Sequence, residues 1–373
     1  MVIKVFSPPV KADGAWKTFS ERQLFTTNRI VSFEYTKRWT KTGSFTLTIP
    51  FDRAKLQGLS LMGVICAETD GRSHWLLIEN IEYDSRTIVL YGKDAKGLLA
   101  TRIALYGTAQ GEGTDGYDVV SGTTAQCIKH YLDNNCISPA DAFRALPITW
   151  GGGVNGLQND SYMARFEYLS DIVSELCDNA GIGCDIAGNL SGGGFTFTTK
   201  SGTDRSMNQS ENNRVIFSLS WGNVRNQTFQ HSVSDLYSVI YAAGSDNVTT
   251  AVFRDNNTPS GISRRECNVS VSVESTDDYF SKYALNQVTD NTEKHGCTVD
   301  AAKSGGYGTD YSLGDKVSVR DDFSGNTFHY VITEVTESYS AGQQGLTIVL
   351  GNQKQKPLQK IVNGFLSGTA GRR

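Results

Sequence analysis

The sequence predicts a β-rich α+β protein, built as two small β-barrel-like domains with an α+β middle region. Three observations predict it. Ser44-Phe45-Thr46-Leu47-Thr48-Ile49 alternates polar and apolar residues with period two, the mark of a strand with one buried and one wet face. Turn signals such as Asp70-Gly71 recur at short intervals, so neighbouring strands form antiparallel hairpins. Between two strand-rich stretches, residues 123–135 and 166–180 repeat apolar positions every three or four residues, as helices do.

The first domain covers residues 1–105. Residues 1–28 hold one strand, the pair Pro8-Pro9 and a loop. Val31, Phe33 and Tyr35 alternate on the next strand, and Lys37-Arg38-Trp39 with Lys41-Thr42-Gly43 turns the chain into the strand at Ser44. Pro50 ends that strand, because proline cannot donate to a ladder. Residues 63–68, 74–83 and 86–91 are further strands, enough with the others to curl into a small barrel. Residues 93–103 then read as a helix, with Leu98, Leu99 and Ile103 apolar.

The middle region covers residues 106–236. It opens with a glycine-rich loop holding a literal G-x-G-x-x-G at Gly111, Gly113 and Gly116. A dinucleotide site needs a strand before that motif and a helix opening on it; neither is present, so the loop reading stands. Thr123 or Thr124 caps a helix with the stripe Ala125, Ile128, Tyr131 and Leu132. The helix at 166–180 buries Phe166, Leu169, Ile172, Val173, Leu176, Cys177 and Ala180, and Gly181 stops it. Residues 182–186, 195–199, 215–219 and 227–233 return to strand character.

The second β domain covers residues 237–352. Strands are expected at 237–242, 249–254, 268–274, 297–301, 316–320, 326–336 and 346–350, with a helix over 277–294. Residues 353–373 form a C-terminal amphipathic segment. There Leu358, Ile361, Val362, Phe365 and Leu366 recur at i, i+3, i+4, i+7 and i+8, one apolar stripe on a short helix. Such a helix is marginal alone in water, so the stripe needs a surface.

Bulk properties narrow the function. The chain has 373 residues, a net charge of −4 and 39% hydrophobic residues. A slightly acidic protein is a poor general nucleic-acid binder. The seven cysteines form no C-x-x-C pair and no histidine lies at zinc-ligand spacing from two of them, so free buried thiols of a reducing cytosol are expected. The N-terminus does not read as a secretion signal, and no apolar run reaches the roughly 20 residues of a membrane span.

Chemistry is scarce. His74, His130, His231, His295 and His329 fall in neither H-E-x-x-H nor any other ligand spacing, and no G-x-S-x-G occurs. The carboxylate pairs Glu79/Glu82 and Asp321/Asp322 read as solvated surface, and Asp315 in Leu313-Gly314-Asp315 as a turn anchor. No catalytic, metal or cofactor residue is therefore expected. Two groups stand out as partner-binding: Lys37, Arg38 and Lys41 beside Trp39, read as a subunit contact ahead of a phosphate or base site or a solvated hairpin face, and the stripe Leu358, Ile361, Val362, Phe365 and Leu366, which docks on its own chain or on a neighbouring protein.

The order of certain stretches carries a resemblance. They are Ser32-Phe33-Glu34-Tyr35-Thr36-Lys37-Arg38-Trp39 through Phe45-Thr46-Leu47-Thr48-Ile49-Pro50, and Tyr91-Gly92-Lys93-Asp94-Ala95-Lys96-Gly97-Leu98-Leu99 with Arg102. Gly222-Asn223-Val224 ahead of Tyr237-Ser238-Val239-Ile240-Tyr241-Ala242-Ala243-Gly244, and Leu313-Gly314-Asp315-Lys316-Val317, complete the set. In this order, over residues 25–352, the chain resembles the tail-hub family of siphophages and prophages of Gram-positive bacteria, relatives of the hub at the tip of contractile tails. The resemblance implies two barrel domains per chain and a homotrimer whose six barrels form a pseudo-hexameric ring. It implies a structural hub of a phage or phage-derived tail, without catalysis or cofactor, assembled in the bacterial host cytoplasm and resident in the virion tail. Its partners would be the tail tube or distal tail protein and a tip, spike or tape-measure protein, with no membrane, and DNA only passing through a channel. The symmetry has its own logic: three copies of a two-barrel chain present six near-equivalent faces where a sixfold tube ends in a threefold tip. A tail-borne cell-wall hydrolase is the alternative from another class, and a carbohydrate-binding module using Trp16, Trp39, Trp75, Trp150 and Trp221 is a third.

Overall fold

Alternation at residues 44–49 requires a buried face, and the computed structural model supplies it: Phe45, Leu47 and Ile49 point into a core and are almost fully enclosed. The structure describes residues 1–105, 117–234, 236–254, 259–271, 274–276, 280–288, 293–302, 306–340 and 342–352. Strands β1 (Val2–Phe6), β2 (Lys11–Ala12), β3 (Ala15–Trp16), β4 (Gln23–Thr27), β5 (Ser32–Arg38) and β6 (Ser44–Pro50) come first. Helix α1 (Arg53–Gly58), β7 (Val64–Thr69), β8 (Arg72–Tyr83), β9 (Thr87–Asp94) and a 3-10 helix at Ala95–Thr101 follow. Next are β10 (Asp118–Thr123), α2 (Thr124–Leu132), β11 (Ile148–Gly153), β12 (Gln158–Ala164), α3 (Leu169–Ala180), β13 (Gly183–Gly188), β14 (Phe195–Lys200), β15 (Ile216–Phe217) and β16 (Val224–Ser232). The described elements end with β17 (Val239–Ala243), β18 (Thr249–Phe253), β19 (Glu266–Ser270), α4 (Phe280–Gln287), β20 (Lys294–Ala301), β21 (Lys316–Arg320), β22 (Thr327–Ser340) and β23 (Gln343–Asn352). Two units result, one of residues 1–227 with 298–350, the other of 228–297 with 351–373.

In the first unit the main sheet runs β23-β22-β5-β6-β9-β8-β7-β1-β4, each pair antiparallel. It curls round Ile3, Val5, Phe33, Leu47, Ile65, Leu76 and Leu90. The barrel expected from the sequence does not close by hydrogen bonds among the described residues, and the reason is visible at β5. Its free edge, which closure would pair with β4, is taken by β22, with Ser32 opposite Ser340 and Arg38 opposite Glu334.

The other face of β1, β7 and β8 belongs to a second core. Phe6, Phe19, Val64, Cys66, Trp75 and Leu77 pack there with Ile128 and Tyr131 of α2, Ile172 and Leu176 of α3, and Phe195 and Phe197 of β14. Composition suggests a boundary near residue 105, yet residues on both sides of it share this core: alternation shows that a face is buried, not what covers it. Helix α2 starts on a capping box, Thr123 Oγ1 accepting from the Gln126 amide and Gln126 Oε1 from the Thr123 amide. Helix α3 ends on Gly181 at φ 64°, as expected of a C′ glycine. It begins at Leu169 rather than near Phe166, whose own φ of 61° is incompatible with a helix.

The helix expected over 93–103 is corrected. Lys93 and Asp94 finish β9, and a 3-10 helix follows, opened by the Asp94 carboxylate accepting from the Lys96 amide. In the second unit, β18-β17-β19 form a small sheet with β17 and β19 parallel. Helix α4 contributes buried Phe280 and Ala284, and is shorter than the 277–294 expected, since Lys294 already belongs to β20. No helix among the described residues is long and apolar enough to cross a membrane. All seven cysteines are free, and six are buried.

Candidate functional site

The basic group around Trp39 sits where β5 leaves the sheet, and its charges are neutralised within the unit. Lys37 Nζ lies 2.9 Å from Asp185 Oδ2 of β13, which Lys200 Nζ of β14 also approaches at 2.7 Å. Arg38 Nε donates to Glu334 Oε2 of β22 at 2.6 Å, and its Nη1 to the Thr42 carbonyl at 2.8 Å. The Lys96 ammonium, almost fully buried, donates to the Arg38 carbonyl at 2.6 Å and lies 3.9 Å from Asp94. Trp39 lies against two glycines. A Cβ built on Gly183 or Gly314 would fall 2.4 or 2.3 Å from its ring, so only glycine fits beneath it. Lys41, the fourth residue of this group, is exposed on the neighbouring turn.

These contacts fix the electrostatics. Burial alone would raise the Asp185 carboxyl, but Lys37 and Lys200 outweigh it and hold it well below the usual carboxylate range. Asp94 goes the other way: burial raises it and Lys96 only partly compensates. On β8, Arg72 donates to Glu337 Oε2 of β22 at 2.8 Å and stacks over Tyr307. His74 beside it packs on Tyr35 and is pushed down to about 3 by burial, then by Lys37 and Arg72, so it is a neutral imidazole. The arrangement is a charged clamp that ties β5, β8, β13, β14 and β22 together. It offers no exposed nucleophile with a base beside it.

The remaining chemical candidates resolve into ties as well. Asp315 anchors its turn through the Ser312 amide at 2.9 Å, and also reaches the Thr203 amide at 2.8 Å and Arg205 Nε at 2.9 Å. Asp322 binds the Ser220 amide at 2.9 Å and the Ser218 hydroxyl at 3.0 Å, while Asp321 accepts from the Phe323 amide at 2.9 Å. Glu79 lies 3.4 Å from Lys93, and Glu82 accepts from Tyr91 at 3.2 Å. His130 lies 2.7 Å from Asp118, His329 2.9 Å from the Ser318 hydroxyl, and His231 bonds Glu293. Among the described residues no group of three or more His, Cys, Asp or Glu is placed to hold a metal. The stripe Leu358, Ile361, Val362, Phe365 and Leu366 and the loop glycines Gly111, Gly113 and Gly116 lie outside the described residues.

Sequence reasoning missed the acidic half of the clamp. Asp185 is 148 residues from Lys37, and Glu334 is 296 from Arg38, so no local pattern joins them. The one available signal was a polar Asp185 between Cys184 and Ile186 on a strand that is otherwise apolar.

Comparison with known proteins follows the same architecture. A family model described as Siphovirus ReqiPepy6 Gp37-like protein matches residues 21–352. The fold is similar to that of a tail protein from Neisseria meningitidis MC58, at TM-score 0.52 and 15% identity, covering 94% of this chain and 96% of that one. It is similar to the 43 kDa tail protein of prophage MuSo2 from Shewanella oneidensis, at TM-score 0.51 and 12% identity, covering 94% and 97%. A chain of the Francisella PdpA-VgrG complex aligns at TM-score 0.52 and 10% identity, over 95% of this chain and 53% of that one. No curated protein matches the sequence.

Proposed function

Because the chain belongs to the Siphovirus ReqiPepy6 Gp37-like protein family, we infer that it is a structural hub protein of a phage tail. The observation that carries this reading is a likeness running end to end: nearly all of this chain aligns with nearly all of two tail proteins. A part that transmits load needs segments far apart in sequence locked together, and the clamp at Lys37, Asp185, Arg38 and Glu334 supplies that. The chain is accordingly read as non-catalytic.

In the finer reading, the hub is a homotrimer. Each copy contributes two barrel-like parts, centred on residues 1–105 and 237–352 and joined by the α+β region 106–236. Six such parts form a pseudo-hexameric ring that continues a sixfold tail tube and ends it in a threefold tip. One side meets the tail tube or distal tail protein, the other a tip, spike or tape-measure protein, with DNA passing only through the central channel. The turn carrying Lys37, Arg38, Trp39 and Lys41 and the stripe Leu358, Ile361, Val362, Phe365 and Leu366 are assigned to partner contacts, the stripe laid in a groove of a neighbouring protein. The site of action is the virion tail, after assembly in the host cytoplasm. Light scattering with purified tail-tube protein tests this. A trimer, or trimerisation on the tube ends, is expected; a monomer that never associates with the tube contradicts it.

A further inference from the structure

Cys177 and Cys184 meet across the turn that joins α3 to β13. The backbone sets up the approach. Gly181 ends α3 in the left-handed region at φ 64°, and its amide donates back to the Cys177 carbonyl. The Ile182 amide donates to the same carbonyl at 3.0 Å, so the chain doubles back at once. The Cys184 amide then donates to the Trp39 carbonyl at 3.2 Å. Side chains fix the same approach. Ser174, one turn before Cys177 on α3, donates to the Thr40 carbonyl at 3.2 Å, and the Cys184 thiol donates to that carbonyl at 3.4 Å. The Cys177 thiol in turn donates to the Cys184 sulfur.

The surroundings make one of the two sulfurs a nucleophile. Burial pushes Cys66 up to about 11 and Cys136 up to about 12, and raises Cys127 and Cys267 as well, so these four stay protonated. Cys184 goes the other way. The hydrogen bond from Cys177 and the Lys96 ammonium hold it below the ordinary thiol value, outweighing burial and the carboxylates Asp185 and Asp94. Cys177 is raised by the hydrogen bond it donates and by burial, and so keeps its proton. A thiolate beside a protonated thiol is the pairing of an attacking and a resolving cysteine. Access selects the oxidant. Cys177 is fully enclosed and Cys184 is 4% exposed, which excludes a bulky disulfide reagent. The turn between them lies at the surface, with Asp178, Asn179 and Gly181 exposed, so a small oxidant has only a short way to travel.

We propose that Cys177 and Cys184 are a latent disulfide, closed by a peroxide once the chain leaves a reducing cytosol. The Cys184 thiolate attacks one peroxide oxygen and the O–O bond breaks. Cys184 becomes a sulfenic acid, and the departing hydroxide takes the proton that Cys184 gave up and leaves as water. The Cys177 sulfur then attacks the Cys184 sulfur. The S–S bond forms, the S–O bond breaks, and the second hydroxide leaves as water with the Cys177 proton. Two thiols are oxidised by two electrons, and one peroxide is reduced to two waters. The bond holds β13, which carries Asp185, the anion of the clamp, against α3. The chemistry does not depend on the hub reading, which supplies only the setting, a tail released from its host.

The test uses the folded full-length chain. It is exposed to hydrogen peroxide, quenched with catalase, unfolded in guanidinium and alkylated with iodoacetamide. Asp-N then cuts between the two cysteines at Asp178. Five alkylated cysteines rather than seven are expected, with two peptides joined through Cys177 and Cys184 that separate on reduction. In Cys177→Ala, Cys184 should be trapped as a sulfenic acid that dimedone labels; in Cys184→Ala, Cys177 should stay a thiol at the same dose. The parent chain alone decides the matter, so the outcome stands even where a variant fails to fold. Seven alkylated cysteines after the exposure, or a disulfide between any other pair, overturns the proposal. So does a Cys177–Cys184 bond that forms only when the chain is oxidised in guanidinium, because the folded pair is then not poised to close.

Discussion

Replacing Asp185 by asparagine removes the anion shared by Lys37 and Lys200 while keeping nearly the same shape. Lys200 is half exposed and returns to water. Lys37 is not: its side chain is 23% exposed and that of Asp185 16%, so the substitution strands a largely buried ammonium. Breaking a buried pair from one side costs about 3–5 kcal/mol, and the remaining exposure of Lys37 places this case near about 3 kcal/mol. For a unit of this size, that corresponds to a drop of roughly 6–12 °C in melting temperature. The pH dependence follows from the direction of the shift. Asp185 has a folded pKa below its unfolded one, so its contribution is complete above about pH 4 and lost as the carboxylate protonates below that. The gap between parent and Asp185→Asn should therefore narrow as the pH is lowered from about 4. Replacing both partners, Asp185→Leu with Lys37→Met, should fall within about 1–2 kcal/mol of the parent, because no charge is left unpaired. Thermal and urea unfolding at several pH values measure all three. If Asp185→Asn melts within a degree of the parent at pH 7, or if the double replacement is as unstable as the single, the clamp is not what holds β5 to β13.

Leu47→Asp places an unpaired carboxylate at a fully buried position of the inner core and should unfold the first unit at room temperature; a melt within a degree of the parent would mean the strand's faces are reversed. Gly314→Ala forces a Cβ 2.3 Å from the Trp39 ring at a φ of 94°, and should cost at least about 2 kcal/mol and change Trp39 fluorescence; unaltered stability and emission would argue against the seat. His74 is neutral in the fold with its pKa at about 3, below the unfolded value, so it stabilises fully above about pH 6.5 and loses this progressively toward pH 3, on the order of 4–5 kcal/mol in total. His74→Phe should flatten that part of the stability profile, and an unchanged acid slope would assign it to other groups. Deleting residues 357–373 should leave the melting curve near that of the parent but weaken association with tail partners; aggregation of the truncated chain alone would place the stripe in the internal core.

Local features were legible where local chemistry decides them. The Phe45, Leu47 and Ile49 alternation, the Thr123 capping box and the Gly181 stop each depend on residues a few positions apart. What could not be read were decisions made elsewhere in the chain. Residues 93–103 have helical spacing, but Asp94 is drawn into β9 by its register with Leu76, and its carboxylate then opens a tighter turn. Among the described residues the barrel does not close by hydrogen bonds, and the edge of β5 is taken by β22, some 300 residues on. The ion pairs of Lys37 and Arg38 have no local sign, because their acids, Asp185 and Glu334, are remote in sequence. The seat of Trp39 on Gly183 and Gly314 is likewise set by residues remote in sequence.

The central claim, a structural hub of a phage tail, is tested most directly by imaging particles of the phage that encodes this chain. Immunogold labelling and averaged electron cryomicroscopy of purified tails should place the chain at the junction of tube and tip, in three copies related by a threefold axis. Its absence from purified particles, or a location on the capsid or along the tube, would contradict the claim.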